Sequence, residues 1–326
     1  MKYPLITIGI TAFNCERTIQ RAVTSAFIQT YKNLEIIAVD DGSTDSTWAI
    51  LSKFEDNRLH CIRLPHNKGT AAARNRIIEE SHGSYIAFFD SDDISHQDRI
   101  EIQYQSLCDY ENKSPNRLII NLCSFNLIDV DSKSTFIQGP GYEKKLSGID
   151  YALNEIGLIA ATSIGDALVK KFFMISDPFY FKGTSVLLAP KFTFQKIGYY
   201  DEFFRRCQDT DWNIRFGLAG GTCVGTQKAL VNYYVTSASY KKHAICNYYH
   251  YHLFEKHKSS FQILKYYDQI MASFLFNQKI YERDLRALPM LLSHPFNLIP
   301  FIRFINYSCQ HLLFQDLERP IINEIL

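Results

Sequence analysis

YIAFFDSDD, residues 85–93, sets an unbroken apolar run directly before a polar cluster that holds Asp90, Asp92 and Asp93. A short run rich in aromatic and β-branched residues, closed by turn residues, predicts a buried strand ending in a polar loop. The same arrangement occurs earlier in the chain. LITIGI (Leu5–Ile10) runs into Thr11-Ala12-Phe13-Asn14, LEIIAV (Leu34–Val39) into Asp40-Asp41-Gly42-Ser43, and LHCIRL (Leu59–Leu64) into Pro65-His66-Asn67-Lys68-Gly69. Between the runs lie amphipathic stretches. The clearest is Glu16–Thr30, where Ile19, Ala22, Val23, Ala26 and Phe27 recur at helical spacing. Strand and helix alternating in this way predict an α/β fold with a mostly parallel central sheet flanked by helices, because parallel neighbours need a crossover. Ligands of such sheets bind outside the carboxyl ends of the strands, where all the polar clusters fall.

The chain's 326 residues are enough for a substantial core and suggest two domains of unequal size. A formal net charge of +1 with no block of either sign gives no argument for nucleic acid. The eight cysteines show no C-x-x-C pair, and several sit inside apolar runs, which predicts a reducing, cytoplasmic setting and no structural zinc. The amino terminus turns polar too soon for an export signal. No stretch reaches the roughly 18 apolar residues of a membrane span. The nearest, Leu288–Phe314, is broken by His294, Pro295, Asn297, Pro300, Arg303 and Asn306.

Beyond residue 95, periodicity predicts a helix over Gln97–Tyr110 and a strand over Arg117–Ile128. An exposed connection follows over Asp131–Gly148, then a helix over Ile149–Phe173. Gly183-Thr184-Ser185 leads into the apolar Val186-Leu187-Leu188, followed by short helices over Phe192–Ile197 and Asp209–Ala219. The acid-rich start of the second suits a helix amino terminus. Thr222–Val235 reads as one or two final strands. From about Ser237 the chain turns aromatic and basic. The expected organisation is a domain over 1–240, with halves at 1–95 and 96–240, and a helical extension over 241–326.

Asp90-Ser91-Asp92 is the sharpest chemical element: carboxylates two residues apart in a turn can aim oxygens at one Mg²⁺ or Mn²⁺, whose shell water and phosphate complete. Taken alone, such acidic turns are more often merely solvated. An EF-hand loop does not fit, because the segment lacks the glycine at its sixth position and the later glutamate. Order and spacing change the reading. ITAFNCERTIQRAVTSAFIQTYKNLEIIAVDDGSTDST, HNKGTAAARNRII and GSYIAFFDSDDI closely resemble the amino-terminal half of inverting glycosyltransferases of family 2, of the bacterial surface-polysaccharide type. The likeness is dense over residues 4–100 and sparser to Gly220. It implies the GT-A fold, Rossmann-like, here with a C-terminal helical extension.

Residue by residue, the resemblance implies a pyrimidine pocket lined by Thr11 and Phe13, the ring stacking where many relatives have tyrosine. Asp41 would accept from the uracil N3–H, while Asp40 has a plain structural role in its turn. In Asn67-Lys68-Gly69-Thr70-Ala71-Ala72-Ala73-Arg74-Asn75, Lys68 and Arg74 would join the donor site, Gly69 permitting close backbone approach and Arg74 pairing with phosphate or with the D-x-D turn. Asp92 would be the principal metal ligand, with Asp90 a metal ligand or an orienter of the sugar and Ser91 in the donor-binding set. Gln208-Asp209-Thr210-Asp211 matches the E-D-x-D block that carries the catalytic base, which falls on Asp209, with Asp211 as fallback and Gln208 in place of the usual glutamate. Trp212 is expected in the core. Val231–Ser239 lacks the basic residue and histidine that relatives carry near the diphosphate, leaving Lys241, Lys242 or His243 as substitutes.

The expectation is a metal-dependent (Mn²⁺ or Mg²⁺) transfer from a UDP-sugar to a glycan or lipid-linked glycan acceptor. The protein would be cytoplasmic, with the aromatic tail meeting a membrane surface, a second copy or the domain itself. A nucleotidyltransferase and a non-catalytic glycan-binding scaffold are the alternatives. The first lacks a glycine-rich phosphate loop after the first strand. The second is at odds with the presence of Asp41, Asp90, Asp92 and Asp209 together.

Overall fold

The computed structural model describes residues 3–111, 118–131, 133, 135–138, 145–147, 184–235 and 243–259. The first half is a run of parallel strands with helical crossovers: β1 (Ile6–Ala12), α1 (Ile19–Phe27), β2 (Leu34–Asp40), α2 (Thr47–Leu51), β3 (Leu59–Arg63), α3 (Thr70–Glu80) and β4 (Tyr85–Asp90). The apolar runs are unbroken because these strands are covered on both faces; β1 and β2 each expose almost nothing. The register brings Ala12 beside Asp40, Asp40 beside Arg63 and Thr11 beside Asp90, so the four carboxyl ends form one level rim. Helix α1 buries Ile19, Ala22, Val23 and Ala26 on one sheet face. On the other, α3 lies so close to β1 that a Cβ on Gly9 would come within 2.4 Å of Ile77.

The second half is mixed rather than parallel. After β5 (Ile94–Ser95) and α4 (Arg99–Glu111) come β6 (Ile119–Asp129), β7 (Thr135–Gln138), β8 (Lys145–Ser147), a turn of 3₁₀ helix at Thr184–Val186, β9 (Leu187–Pro190), α5 (Lys191–Ile197), α6 (Gln208–Leu218), β10 (Thr222–Val235) and α7 (His243–Lys256). Sheet order is β3-β2-β1-β4-β9-β6-β10-β5. Strand β9 runs antiparallel to both β4 and β6, and β10 runs parallel to β6 with register shifts between Thr226 and Val231. The connection expected over Asp131–Gly148 holds β7 and β8, which pair antiparallel with β6 and β10. Their polar composition concealed short edge strands, whose side chains need little burial. The helix expected over Ile149–Phe173 lies outside the described residues, as does the extension beyond residue 259.

Two cores sandwich the sheet. One joins β2, α3, β4, α5 and α6 through Val39, Ile77, Phe88, Phe194 and Trp212; the other joins β1, α1, α2 and α4 through Ile8, Ile10, Val23, Leu51 and Leu107. Trp212 is a core residue, as expected, stacked on Phe216 with its Nε1–H donating to the Gly198 carbonyl at 3.0 Å. A polar seam closes the junction of the halves. Arg99, fully buried, donates to Gln103, Ser95 and the Phe88 and Leu187 carbonyls, and Gln103 donates to Asn121 and the Val186 carbonyl. A buried guanidinium is tolerated where its donors are satisfied in this way.

Candidate active site

The rim opens into a cleft of about 450 Å³, walled by the ends of β1, β2 and β4, the start of α3, the loop before α6, and β10. Thr11, Phe13, Asp41, Arg74, Asp90, Ser91, Asp92 and Asp209, all expected at the site, come together there. Phe13 presents a ring 45 % exposed at the mouth. Asp41 is buried, and its two oxygens accept the Lys68 and Gly69 N–H groups at 2.7 and 2.8 Å. Burial raises its pKa against those bonds. Lys68 therefore enters the site through its backbone; its side chain is exposed and is not a wall of the cleft. Gly69 has φ +94°, and a Cβ there would lie 2.6 Å from the Arg205 guanidinium, which donates to Asn67 Oδ1 at 3.0 Å. Asp40 accepts the Ser43 N–H at 3.1 Å and faces Arg63 at 3.2 Å, the turn role its sequence suggested.

Asp90 and Asp92 are joined by Asp93, which sequence reasoning left out. Ligand oxygens of the three lie within 4.8 Å of one another. Asp93 is buried, one oxygen accepting the Tyr234 N–H at 3.1 Å and the other having no hydrogen-bond partner. Burial, then Asp90 and Asp92, push its carboxyl well up. Asp92 opens toward solvent, yet desolvation within the cleft and then Asp90 push it up to about 6. Crowded carboxylates resist ionising together, and a hard divalent cation relieves that repulsion. The residues fit such an ion. Arg21 supports the loop from behind, donating to the Asp92 carbonyl with its guanidinium 4.1 Å from the Tyr234 ring centroid.

Opposite charge stands beside this cluster. Arg74 is 4 % exposed and meets Asp90 at 3.4 Å, but its Nε and Nη1 have no hydrogen-bond partner. A buried donor left unmade costs roughly 1–3 kcal/mol, so a guanidinium held this way can gain by meeting an anion. Asn75 fixes the facing wall, its side-chain amide exchanging bonds of 2.9 Å with the Tyr200 backbone. From that wall Arg206, Gln208 and Asp209 reach the cleft.

Asp209 sits in the first turn of α6, one oxygen accepting the Thr210 N–H at 2.9 Å. Asp211, the fallback base, is not a wall of the cleft. It is fully buried and held by Arg215 at 2.9 Å, Lys256 at 2.7 Å and His257 at 2.9 Å. Tyr233, also missed from sequence, lines the cleft and packs on Phe125 at 5.6 Å. Burial and then Asp90, Asp93, Asp92 and Asp209 raise its phenol, which stays a proton donor. Alternation along β10 was the available signal for Tyr233; nothing local marked Arg206. Of the proposed substitutes for the missing basic residue, Lys241 and Lys242 lie outside the described residues, as does the His243 side chain.

Residues 7–145 match the family model described as Glycosyl transferase family 2. Among curated proteins, an Escherichia coli enzyme named UDP-Glc:alpha-D-GlcNAc-diphosphoundecaprenol beta-1,3-glucosyltransferase WfaP is 53% identical over 27% of this chain and 36% of its own length. The uncharacterized glycosyltransferase RP339 of Rickettsia prowazekii is 31% identical over 65% of this chain and 58% of its own. The chain thus spans between about a third and three fifths of these relatives. Among solved structures, S. aureus TarS residues 1–349 in complex with UDP aligns with a TM-score of 0.56 at 18% identity, over 84% of this chain and 71% of that one. That likeness establishes the GT-A fold.

Proposed function

From the match of residues 7–145 to the glycosyltransferase family 2 model, we propose that this chain is a member of that family and moves a hexosyl or N-acetylhexosaminyl group from a UDP-sugar to a hydroxyl of a glycan or lipid-linked glycan. The configuration at the anomeric carbon is inverted. The observation that carries this reading is the convergence of Asp90, Asp92, Arg74 and Asp209 on one cleft. The donor and acceptor printed in the name of WfaP make UDP-glucose and a diphosphate-linked lipid sugar the first substrates to try, in surface-polysaccharide synthesis at the cytoplasmic face of the membrane. No helix among the described residues is long and apolar enough to cross a membrane.

Phe13 and Thr11 hold the uracil, with Asp41 accepting its N3–H through lone pairs that the Lys68 and Gly69 amides leave over. Arg74 and Arg206 meet the diphosphate, Arg206 filling the place of the basic residue absent from Val231–Ser239. Asp92 and Asp90, with Asp93 beside them, would hold Mn²⁺ or Mg²⁺, which when bound would neutralise charge on the departing diphosphate. Asp209 takes the acceptor hydroxyl proton as the new C–O bond forms and the bond from the anomeric carbon to the diphosphate oxygen breaks, UDP leaving with the electron pair. One displacement with one base inverts the centre and needs no nucleophile from the protein.

The test is nucleoside diphosphate release from UDP-, GDP-, CDP- and dTDP-sugars, with Mn²⁺ or chelator and with a lipid-linked acceptor, for wild type and Asp92→Ala. Turnover of one UDP-sugar that needs metal and is lost in Asp92→Ala is the expected result. Silence together with no metal-assisted UDP binding would favour the scaffold alternative. Pyrophosphate release from a nucleoside triphosphate and a sugar phosphate would favour a nucleotidyltransferase. Asp209→Asn should abolish transfer yet bind UDP; loss of UDP binding in a folded Asp209→Asn protein would remove it from the base role.

A further inference from the structure

Helix α6 carries Asp209 into the cleft on its first turn. Its N-cap residue, Cys207, has φ +65° and makes no side-chain capping bond. An α-helix leaves its first amides without internal partners, and a start with no cap is prone to fray. What holds this start comes from elsewhere. Two residues along a helix are about 200° around it, so Asp211 points into the protein while Asp209 points to the cleft. Asp211 is fully buried, and the cations on it belong to different elements. Arg215 shares its helix and also donates to the Ile197, Gly198 and Tyr199 carbonyls, whereas Lys256 and His257 come from the end of α7. Lys256 also meets Asp201 at 2.7 Å. One ammonium thereby ties both ends of the 201–211 segment, which includes Arg206, Gln208 and Asp209.

We propose that Lys256 and His257 are positioning residues for sugar transfer: through Asp211 they fix the first turn of α6, and with it the Asp209 carboxylate, against the donor cleft. This rests on the reading of Asp209 as the base. The end of α7 is then part of the catalytic unit, although it lies more than forty positions downstream of the base in sequence. A reacting group misplaced by about 1 Å costs on the order of 100-fold in rate, so a looser first turn should be read in kcat.

The full chain is compared as wild type, Lys256→Met, His257→Gln and the conservative Lys256→Arg, with rates divided by the UDP-binding sites titrated in each preparation. Lys256→Met and His257→Gln should lower kcat per site by about 10- to 100-fold with the donor KM held, and Lys256→Arg should restore most of the rate. Amide hydrogen exchange should quicken over residues 207–213 and stay slow over α3. Unchanged kcat per site with only a lower Tm would make the cluster structural and overturn the proposal, and so would unchanged exchange at 207–213. A wild type that binds UDP but transfers nothing would instead count against the transferase reading, and the exchange measurement would still decide whether the clamp exists.

Discussion

Arg74 is enclosed between Phe88 and Tyr200 with two donors unmade, a cost borne in the absence of a ligand. Arg74→Met should therefore hold or raise the Tm of the unliganded protein while weakening UDP binding about 10- to 100-fold, as loss of charge-assisted bonds to a diphosphate implies. Calorimetric titration beside a melting curve checks both halves. Gly69 is the other sharp position, since a side chain there must take φ +94° and meet Arg205 at 2.6 Å. Gly69→Ala should cost about 1–3 kcal/mol in urea unfolding and loosen the amide pair that holds Asp41. Asp90, Asp92, Arg74 and Asp209 were named because each sits in a block that resembles a family 2 motif, and the fold brings all four to one cleft. Asp93, Arg206 and Tyr233 were not. In an Asp-Asp turn nothing local says which carboxylate folds inward, and a loop arginine or a strand tyrosine acquires its neighbours from elements far along the chain.

At the level of elements, the ties among α6, α7 and the loop between them and α5 make stability depend on pH in a definite direction. Although burial opposes ionisation, the His257 bond, Arg215 and Lys256 hold Asp211 down to about 2, against an ordinary 3.8. A carboxyl with a depressed native pKa stabilises fully above its unfolded value and loses that contribution as pH falls through the folded one. The contribution, about 2 kcal/mol, should be present above pH 4 and vanish between roughly pH 4 and 2. Asp211→Asn should lower stability at pH 7 and flatten that acid limb; an acid limb as steep as wild type would show the ties to be weak. Helices and central strands were readable from periodicity because their burial imposes it. Strands β7 and β8 were hidden by polar residues, and the Arg99–Gln103 seam had no sequence signal because a polar pair on a helix does not show that β9 and β6 cover it.

Across the molecule, the cleft draws on both halves of the sheet and leaves atoms of Arg74 and Asp93 without hydrogen-bond partners, so ligands should bind the folded state cooperatively. UDP with Mn²⁺ should raise the Tm by more than the sum of either alone, saturation at a hundred times Kd being worth about 2.7 kcal/mol. Equal shifts with and without metal would leave the carboxylate cluster without that role. The parallel half was plain in the sequence since its strands alternate with helical crossovers, whereas the order of the second half depends on pairings between distant segments. Strand β4 borders β1 on one side and β9 on the other, and Leu187 follows Asp90 by 97 positions. A ribosome adding about 5–20 residues per second leaves the Tyr85–Phe89 edge open for about 5–20 seconds before its partner emerges. An apolar edge bared that long is a template for pairing with another nascent chain. A gene fragment ending at residue 145, where the family match stops, would make that exposure permanent and should pellet on expression, whereas the full chain should stay in the supernatant.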